Sequence, residues 1–480
     1  MTDMLAVATT AALNDFFNSV NAVIWGWPML ILLLGTHLFM TIRLRFPQRH
    51  LLKGIRLSVS RDDKVDGDVH PFAALATSLA GQIGTGNIVG VATAVLAGGP
   101  GAVLWCWLTG IFGMATKYCE ALLGVKYRVR THDGQMLGGP MYAWERGLGR
   151  RWVGALFAFF TLLVSFGLGN VLQGNAVAEV VGETYHVSVY VTAALLTLFV
   201  GIVILFGLNG ITQVCSRLVP FMALFYIVGC IALLVINWHW LDDAVVLICR
   251  AAFTPQAMGG GFVGGFMIAA QHGVSRGLLS NESGLGSGPI IDASARTRNS
   301  VRQALVSSTA PFWDTVIICA LTGIILVSSM LALGGGGSGD GGAKLLTQQA
   351  FAQIPLVGSH VLAVSLFVFA ASTILSWTCY GEKMIRYIFR SSKRTQRFLI
   401  VGYRVLWVAF TFVGAVLPLE LVWNVGTTVI ALMAVPNLLS ILLLQRVIVR
   451  DTRHYLWEGH LDEEMPEQPP LEDDIVKRRQ

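Results

Sequence analysis

Between Phe72 and Ala97 the chain carries no Asp, Glu, Lys or Arg, and at about 1.5 Å per residue a helix of that length crosses a hydrocarbon core of about 30 Å. Its middle is nevertheless poor helix material. In GQIGTGNIVGVATAVLAGGPG, Gly81, Gly84, Gly86 and Gly90 fall within ten residues beside Gln82, Thr85 and Asn87, and each interior glycine costs a helix about 0.8–1 kcal/mol relative to alanine. Backbone groups freed by such a break cannot face lipid and are tolerated at membrane depth only where protein, water or a ligand satisfies them. A Gly-rich polar interruption of an apolar span therefore points to a binding cavity. Close helix packing would explain the glycines, but not three polar side chains in the same two turns.

Composition makes the membrane reading general. Of the 480 residues, 54% are hydrophobic and 13% charged, whereas soluble domains carry about 25% charged residues. The net charge of +6 does not indicate nucleic acid, because the basic residues sit in short segments between apolar runs, as the positive-inside rule requires. The seven cysteines lie mostly in or beside apolar runs, without CxxC spacing, and read as small buried residues. Met1 to Ala22 lacks a basic start, so no cleavable signal is expected.

Eleven spans are expected. The first, Val23 to Met40, begins beside Trp25 and Trp27 and is followed by a basic segment that includes Arg43, Arg45, Arg49, Lys53 and Arg56, which places the N-terminus outside. The others start near Pro71, Ala102, Val153, Val189, Leu218, Phe262, Ala304, Val361, Arg397 and Leu419, the last ending in a cytoplasmic tail. Basic inner loops fall at Lys126 to Arg151 and Lys383 to Arg397, and of 34 basic residues only about two, Arg250 and Lys344, fall on the outer side. Gly334 to Gly342, GGGGSGDGG, reads as a flexible outer linker.

Setting the first span aside leaves ten. Spans 2–6 and 7–11 form two five-helix units, each opening on an interrupted helix, the second through QHGVSRGLLSNESGLGSGP. Five is odd, so the second unit enters the membrane from the opposite face, which makes an inverted repeat. The expected organisation is 1–70 for the extra span and its basic segment, 71–236 for the first repeat, 237–261 for an external connection, 262–447 for the second repeat and 448–480 for the tail. Paired interrupted helices are the sequence mark of a transporter's midplane site.

GQIGTGNIVGVAT, GGPMYAWERGLG, RGLLSNESGLGS and STILSWTCYGE occur in that order, and together they resemble the alanine or glycine:cation symporter family over nearly the whole chain. The resemblance implies an all-α LeuT-type 5+5 inverted repeat, sodium-coupled uptake of alanine and often glycine, and alternating access in the cytoplasmic (inner) membrane of a prokaryote. The implied partners are a small neutral amino acid, Na+ as the co-transported ion, and lipid; no nucleic acid or oligomer is implied. Ser376 departs from the glycine expected there.

A zwitterionic substrate needs amide donors for its carboxylate, acceptors for its ammonium and a limited apolar pocket. Free N–H groups around Gly84, Thr85, Gly86 and Asn87 would sit at a half-helix N-terminus, where the dipole favours an anion, while carbonyls before the break, at Gly81 and Gly84, can face Na+ or the ammonium. By resemblance, Gln173 lies nearest the substrate, though an interhelical hydrogen bond would equally explain it. Ser372 and Thr373 are the implied Na+ ligands, hard cations taking oxygen donors, against a plain alternative of back-bonding to their own helix. Trp377, one turn after Thr373, reads as a pocket wall. The second break contributes Ser280, Asn281 and Glu282; Glu282 is expected to pair with Arg276. Asp314, Lys117 and Glu120 read equally as interfacial ion pairs.

The competing readings are a proton-coupled or other-solute transporter of the same fold, a channel, and a membrane enzyme. No HExxH occurs, and no cluster of His with carboxylates lies in the spans, which leaves a membrane enzyme little support.

Overall fold

The computed structural model describes residues 2–60, 65–253, 261–334, 342–390, 392–416, 420–472 and 474. Apart from a two-stranded hairpin pairing Val129–Arg130 with Met136–Leu137, the described elements are helical. Six helical stretches are long and apolar enough to cross a membrane: Arg151–Tyr185, Gly207–Ile236, Ser300–Ala332, Gly358–Ile388, Lys393–Val416 and Val422–Leu443. The pair Ala12–Ile24 and Trp27–Arg43, bent by 45° at its break, passes the same test when taken together. The segments where the other spans are expected hold helices that are shorter, broken or less apolar: Pro71–Gln82 with Val89–Gly98, Ala102–Lys126, Val189–Leu205 and Gly261–Asn281.

The N-terminal reading needs correction. Helix starts at Thr2, not at Val23, and runs to Ile24 before bending into Trp27–Arg43. Gly26 and Pro28 account for the bend: proline lacks an amide hydrogen and its ring collides with the carbonyl four residues back. Asn21 and Trp25 anchor the first arm, donating to the Asn424 and Thr427 carbonyls at 2.9 and 3.2 Å. The expected linker at Gly334 to Gly342 lies largely outside the described residues.

Burial is arranged for lipid rather than water. Val189–Leu205 and Gly207–Ile236 turn large apolar side chains outward, among them Leu198, Leu205, Leu224 and Val228, while polar residues cluster at the centre, where their hydrogen bonds can be met. Gly358–Ile388 is buried over most of its length and forms the wall against which the first broken helix lies.

The end bearing the basic loops is closed by charge. Arg390 donates both terminal nitrogens to the Glu145 carboxylate, at 2.9 and 2.6 Å, in a fully buried pair. Arg128 donates to the Ala293 and Ala295 carbonyls, and Lys383 to the Ile290 carbonyl and to Ser294. The tail continues this layer. Asn299 donates to the Leu461 and Glu463 carbonyls, Arg130 N to the Pro470 carbonyl, and Tyr142 to Glu472 at 2.6 Å.

Candidate substrate and ion site

The first break is where Pro71–Gln82 stops and Val89–Gly98 begins, with one tight turn at Thr85–Asn87 between them. Asn87 shapes that turn: its Oδ1 accepts the Gly84 amide at 3.0 Å while the Asn87 amide donates to the Gly84 carbonyl at 3.2 Å. Its Nδ2 reaches the Asp314 carboxylate at 2.5 Å and Ser280 Oγ at 3.1 Å. Asn87 thus caps the turn: its backbone N–H, expected to be free for the substrate, is taken by the Gly84 carbonyl, and Asn87 does not line the cavity.

Gly84 is required by close approach. A Cβ there would stand 2.7 Å from Thr373 Oγ1 and 3.2 Å from Gln173 Oε1. Gln173 Oε1 accepts from both Thr85 N and Thr85 Oγ1, at 3.2 and 3.0 Å, and its Nε2 donates to the Leu168 carbonyl at 3.1 Å. That carbonyl is available because Gly167–Val171 opens into a wider π-type turn, a local unwinding that recurs at functional sites.

Opposite, Thr373 Oγ1 lies 3.0 Å from the Ala80 carbonyl, 3.0 Å from that of Phe369 and 3.4 Å from that of Ile83. Ser372 Oγ is 2.8 Å from the same Phe369 carbonyl. A threonine hydroxyl has one hydrogen to donate, so three carbonyl oxygens around it are an excess of acceptors, the condition a hard cation relieves. The carbonyls gathered here are those of Ala80 and Ile83, rather than the expected pair Gly81 and Gly84. The Gly81 carbonyl instead accepts from Trp377 Nε1 at 3.3 Å. Trp377 is wedged against Gly169, where a Cβ would meet Cγ of the indole at 2.5 Å, and Tyr380 packs on it edge-to-face at 5.1 Å. Ser376 donates to the Thr77 carbonyl at 2.6 Å and does not line the cavity.

These groups border a cavity of about 310 Å3. Gly81, Gly84, Thr85, Gly86, Gln173, Thr373 and Trp377 line it together with Leu168, Leu172, Thr93, Glu179, Arg276, Glu282 and Trp423. Arg276 lies over the Trp423 ring at 4.4 Å, so the expected pairing with Glu282 is not made. Glu282 accepts from Ser287 and holds a left-handed backbone at φ 52°, strain of a kind that concentrates at functional breaks. Asn281 is also displaced from its expected role. Its Oδ1 accepts Ser283 N at 2.9 Å and its Nδ2 faces Thr109, ending the helix Gly261–Asn281 rather than facing the cavity.

Asp314 joins the two breaks. Its carboxylate accepts from Asn87, from Ser280 at 2.7 Å and from Thr315 at 2.6 Å, within an eight-residue wide turn at Phe312–Cys319. Glu120 braces the second break by accepting Gly284 N at 2.9 Å and Asn437 Nδ2 at 2.5 Å. Sequence reasoning named both acids but gave neither this role. The Ala80, Ile83 and Phe369 carbonyls left no side-chain signal at all.

Two interrupted helices meeting over a cavity, with an oxygen-rich cluster beside the break, define a helical secondary transporter. The fold agrees: a crystal structure of MhsT in complex with L-phenylalanine aligns with a TM-score of 0.52 at 14% identity, over 80% of this chain and 98% of that one. The sodium:alanine symporter family matches residues 10–468, and the chain belongs to that family. An uncharacterized transporter of Haemophilus influenzae is 45% identical over 92% of this chain and 96% of its own length, and the sodium/alanine symporter AgcS of Methanococcus maripaludis is 42% identical over 91% and 96%. The protein is a transporter, not an enzyme.

Proposed function

We propose that the protein carries alanine, and glycine less tightly, into the cell together with Na+, by alternating access in a prokaryotic cytoplasmic membrane. The observation that carries this reading is the surplus of carbonyl oxygens around Thr373 Oγ1, directly behind the break that Gln173 closes. In this reading Na+ takes the Ala80, Ile83 and Phe369 carbonyls with the Ser372 and Thr373 hydroxyls. The substrate carboxylate takes the donors at Thr85 and Gly86, displacing Gln173 Oε1, whose amide then turns to the amino acid. Trp377 limits the side chain. An eleven-span 5+5 inverted repeat with the N-terminus outside suits this cycle, with the Arg390–Glu145 layer on the inner side.

One Na+ moving down a tenfold gradient supplies ~1.4 kcal/mol, and a 100 mV potential adds ~2.3 kcal/mol. Together they could concentrate a neutral substrate several hundredfold. The test is labelled alanine uptake into proteoliposomes with an inward Na+ gradient at constant pH and, separately, with a pH gradient and no Na+. Accumulation that follows Na+ is expected; accumulation that follows a pH gradient and ignores Na+ would replace the coupling ion by a proton.

A further inference from the structure

Away from the residues that line the cavity, the chain leaves the helical turn Arg453–Trp457 and enters the tail. Four titratable side chains that transport does not use meet there. Glu463 Oε1 lies 2.7 Å from His460 Nδ1 and Glu463 Oε2 lies 3.4 Å from His454 Nε2, so one carboxylate engages one nitrogen of each ring. The nitrogens left over are His454 Nδ1 and His460 Nε2. Glu458 Oε2 stands 3.8 Å from His454 Nδ1, too far for a hydrogen bond. Two ligands each about 2.0–2.1 Å from one tetrahedral ion are separated by about 3.3 Å, so the gap suits two groups flanking a metal better than two groups bonded to each other. One ligand atom from each of His454, Glu458 and His460 falls within 4.8 Å of the other two.

We propose that His454, His460 and Glu458 bind a divalent transition-metal ion of the zinc class, with Glu463 as the carboxylate that orients the His460 imidazole. Two histidines and a carboxylate leave a fourth position for water on a tetrahedral ion. A carboxylate on the second ring nitrogen fixes the tautomer and raises ligand basicity. The rings lie stacked, 4.8 Å apart and 16° from parallel, so binding turns one imidazole until both lone pairs converge. Both rings are exposed by more than 40%, and exposed side chains make such turns in picoseconds to nanoseconds. The ion joins the last helical turn to the first residues of the tail. Leu461 and Glu463 dock on Asn299 immediately beyond, so metal binding fastens the tail to the closed end of the molecule.

The experiment uses the tag-free full-length protein in detergent, stripped with chelator and titrated with Co2+, followed by ligand-field absorbance, and with Zn2+ by calorimetry. One saturable ion per chain is expected. His454→Ala and His460→Ala each weaken binding at least tenfold, and Glu463→Gln weakens it by about 10–100-fold, with Na+-driven alanine uptake reporting that each variant is folded. Zn2+ should also slow proteolytic trimming of the tail several-fold in the wild type and not in the double histidine variant. Absence of saturable binding, binding that survives loss of both histidines, or tail cleavage indifferent to Zn2+ would overturn the proposal.

Discussion

Gly84 and Thr373 are in each other's way for a reason: the hydroxyl reaches the carbonyls behind the break only because no Cβ stands at position 84. Thr373→Val keeps the shape and removes the oxygen, so the Na+ concentration for half-maximal uptake should rise at least tenfold while folded protein is still recovered. An unchanged Na+ dependence would remove Thr373 from the ion site. Trp377 makes a second residue-scale test. The indole is fixed by Gly169 behind it and Tyr380 beside it, so it should resist larger side chains, which must displace packed atoms at about 1–3 kcal/mol. Competition with labelled alanine should fall from alanine through glycine and serine to valine and leucine. The step from alanine to glycine should be about fourfold, one methyl being worth ~0.8 kcal/mol. Trp377→Ala should flatten the order; a mutant ranking identical to the parent's would assign the size limit elsewhere.

At the scale of elements, each interrupted helix is held by an acid from another helix. Asp314 receives Asn87 of the first break and Ser280 of the second, so one carboxylate ties the two tips together. Asp314→Ala leaves Asn87 Nδ2, Ser280 Oγ and Thr315 Oγ1 to find new acceptors, at about 1–3 kcal/mol for each that stays buried and unpaired. The expected result is a lowered melting temperature and a fall in transport rate larger than any change in apparent Na+ affinity, because no Asp314 oxygen lies in the Thr373 cluster. A change confined to Na+ affinity would instead make Asp314 part of the ion site. The wide turns at Gly167–Val171 and Phe312–Cys319 do related work. Each bends the regular ladder where a carbonyl or side chain must leave it, freeing Leu168 O for Gln173 and putting Asp314 between the breaks.

For the whole molecule, the closed end is the part that must open if substrate is to leave on that side. Arg390 and Glu145 come from opposite halves of the chain and are both buried. Removing one partner of a buried pair costs about 3–5 kcal/mol, mostly by stranding the other charge. Arg390→Ala should therefore destabilise the sealed conformation. A cysteine placed at position 82, in the lining of the cavity, should then react faster with a reagent applied from the basic-loop side. An unaltered labelling rate would mean that this pair does not hold the seal. Orientation is checked separately. With Cys249, the exposed native cysteine, replaced, single cysteines introduced at residues 335–341 should label from outside and those at 392–397 should not; equal labelling would sink the eleven-span arrangement.

The sequence by itself determined that the chain is a helical membrane transporter with breaks near Gly84 and Glu282. Charge depletion, glycine clusters and basic loops act through local backbone and solvation energies that need no knowledge of neighbours. Four ordered motifs carried the family, and with it Gln173, Thr373 and Trp377, all of which border the cavity. Only the tertiary structure decided the rest. The Ala80, Ile83 and Phe369 carbonyls belong to the main chain, which looks the same in every residue, and they gather around Thr373 Oγ1 only when helices almost three hundred residues apart pack together. Asn87 and Asn281 read as substrate ligands, and Glu282 as the partner of Arg276, because buried polar side chains in a membrane must bond to something. Whether that partner is a substrate or a neighbouring helix depends on which groups the fold brings within about 3 Å, and the fold gave these three to Asp314, Ser283 and Ser287.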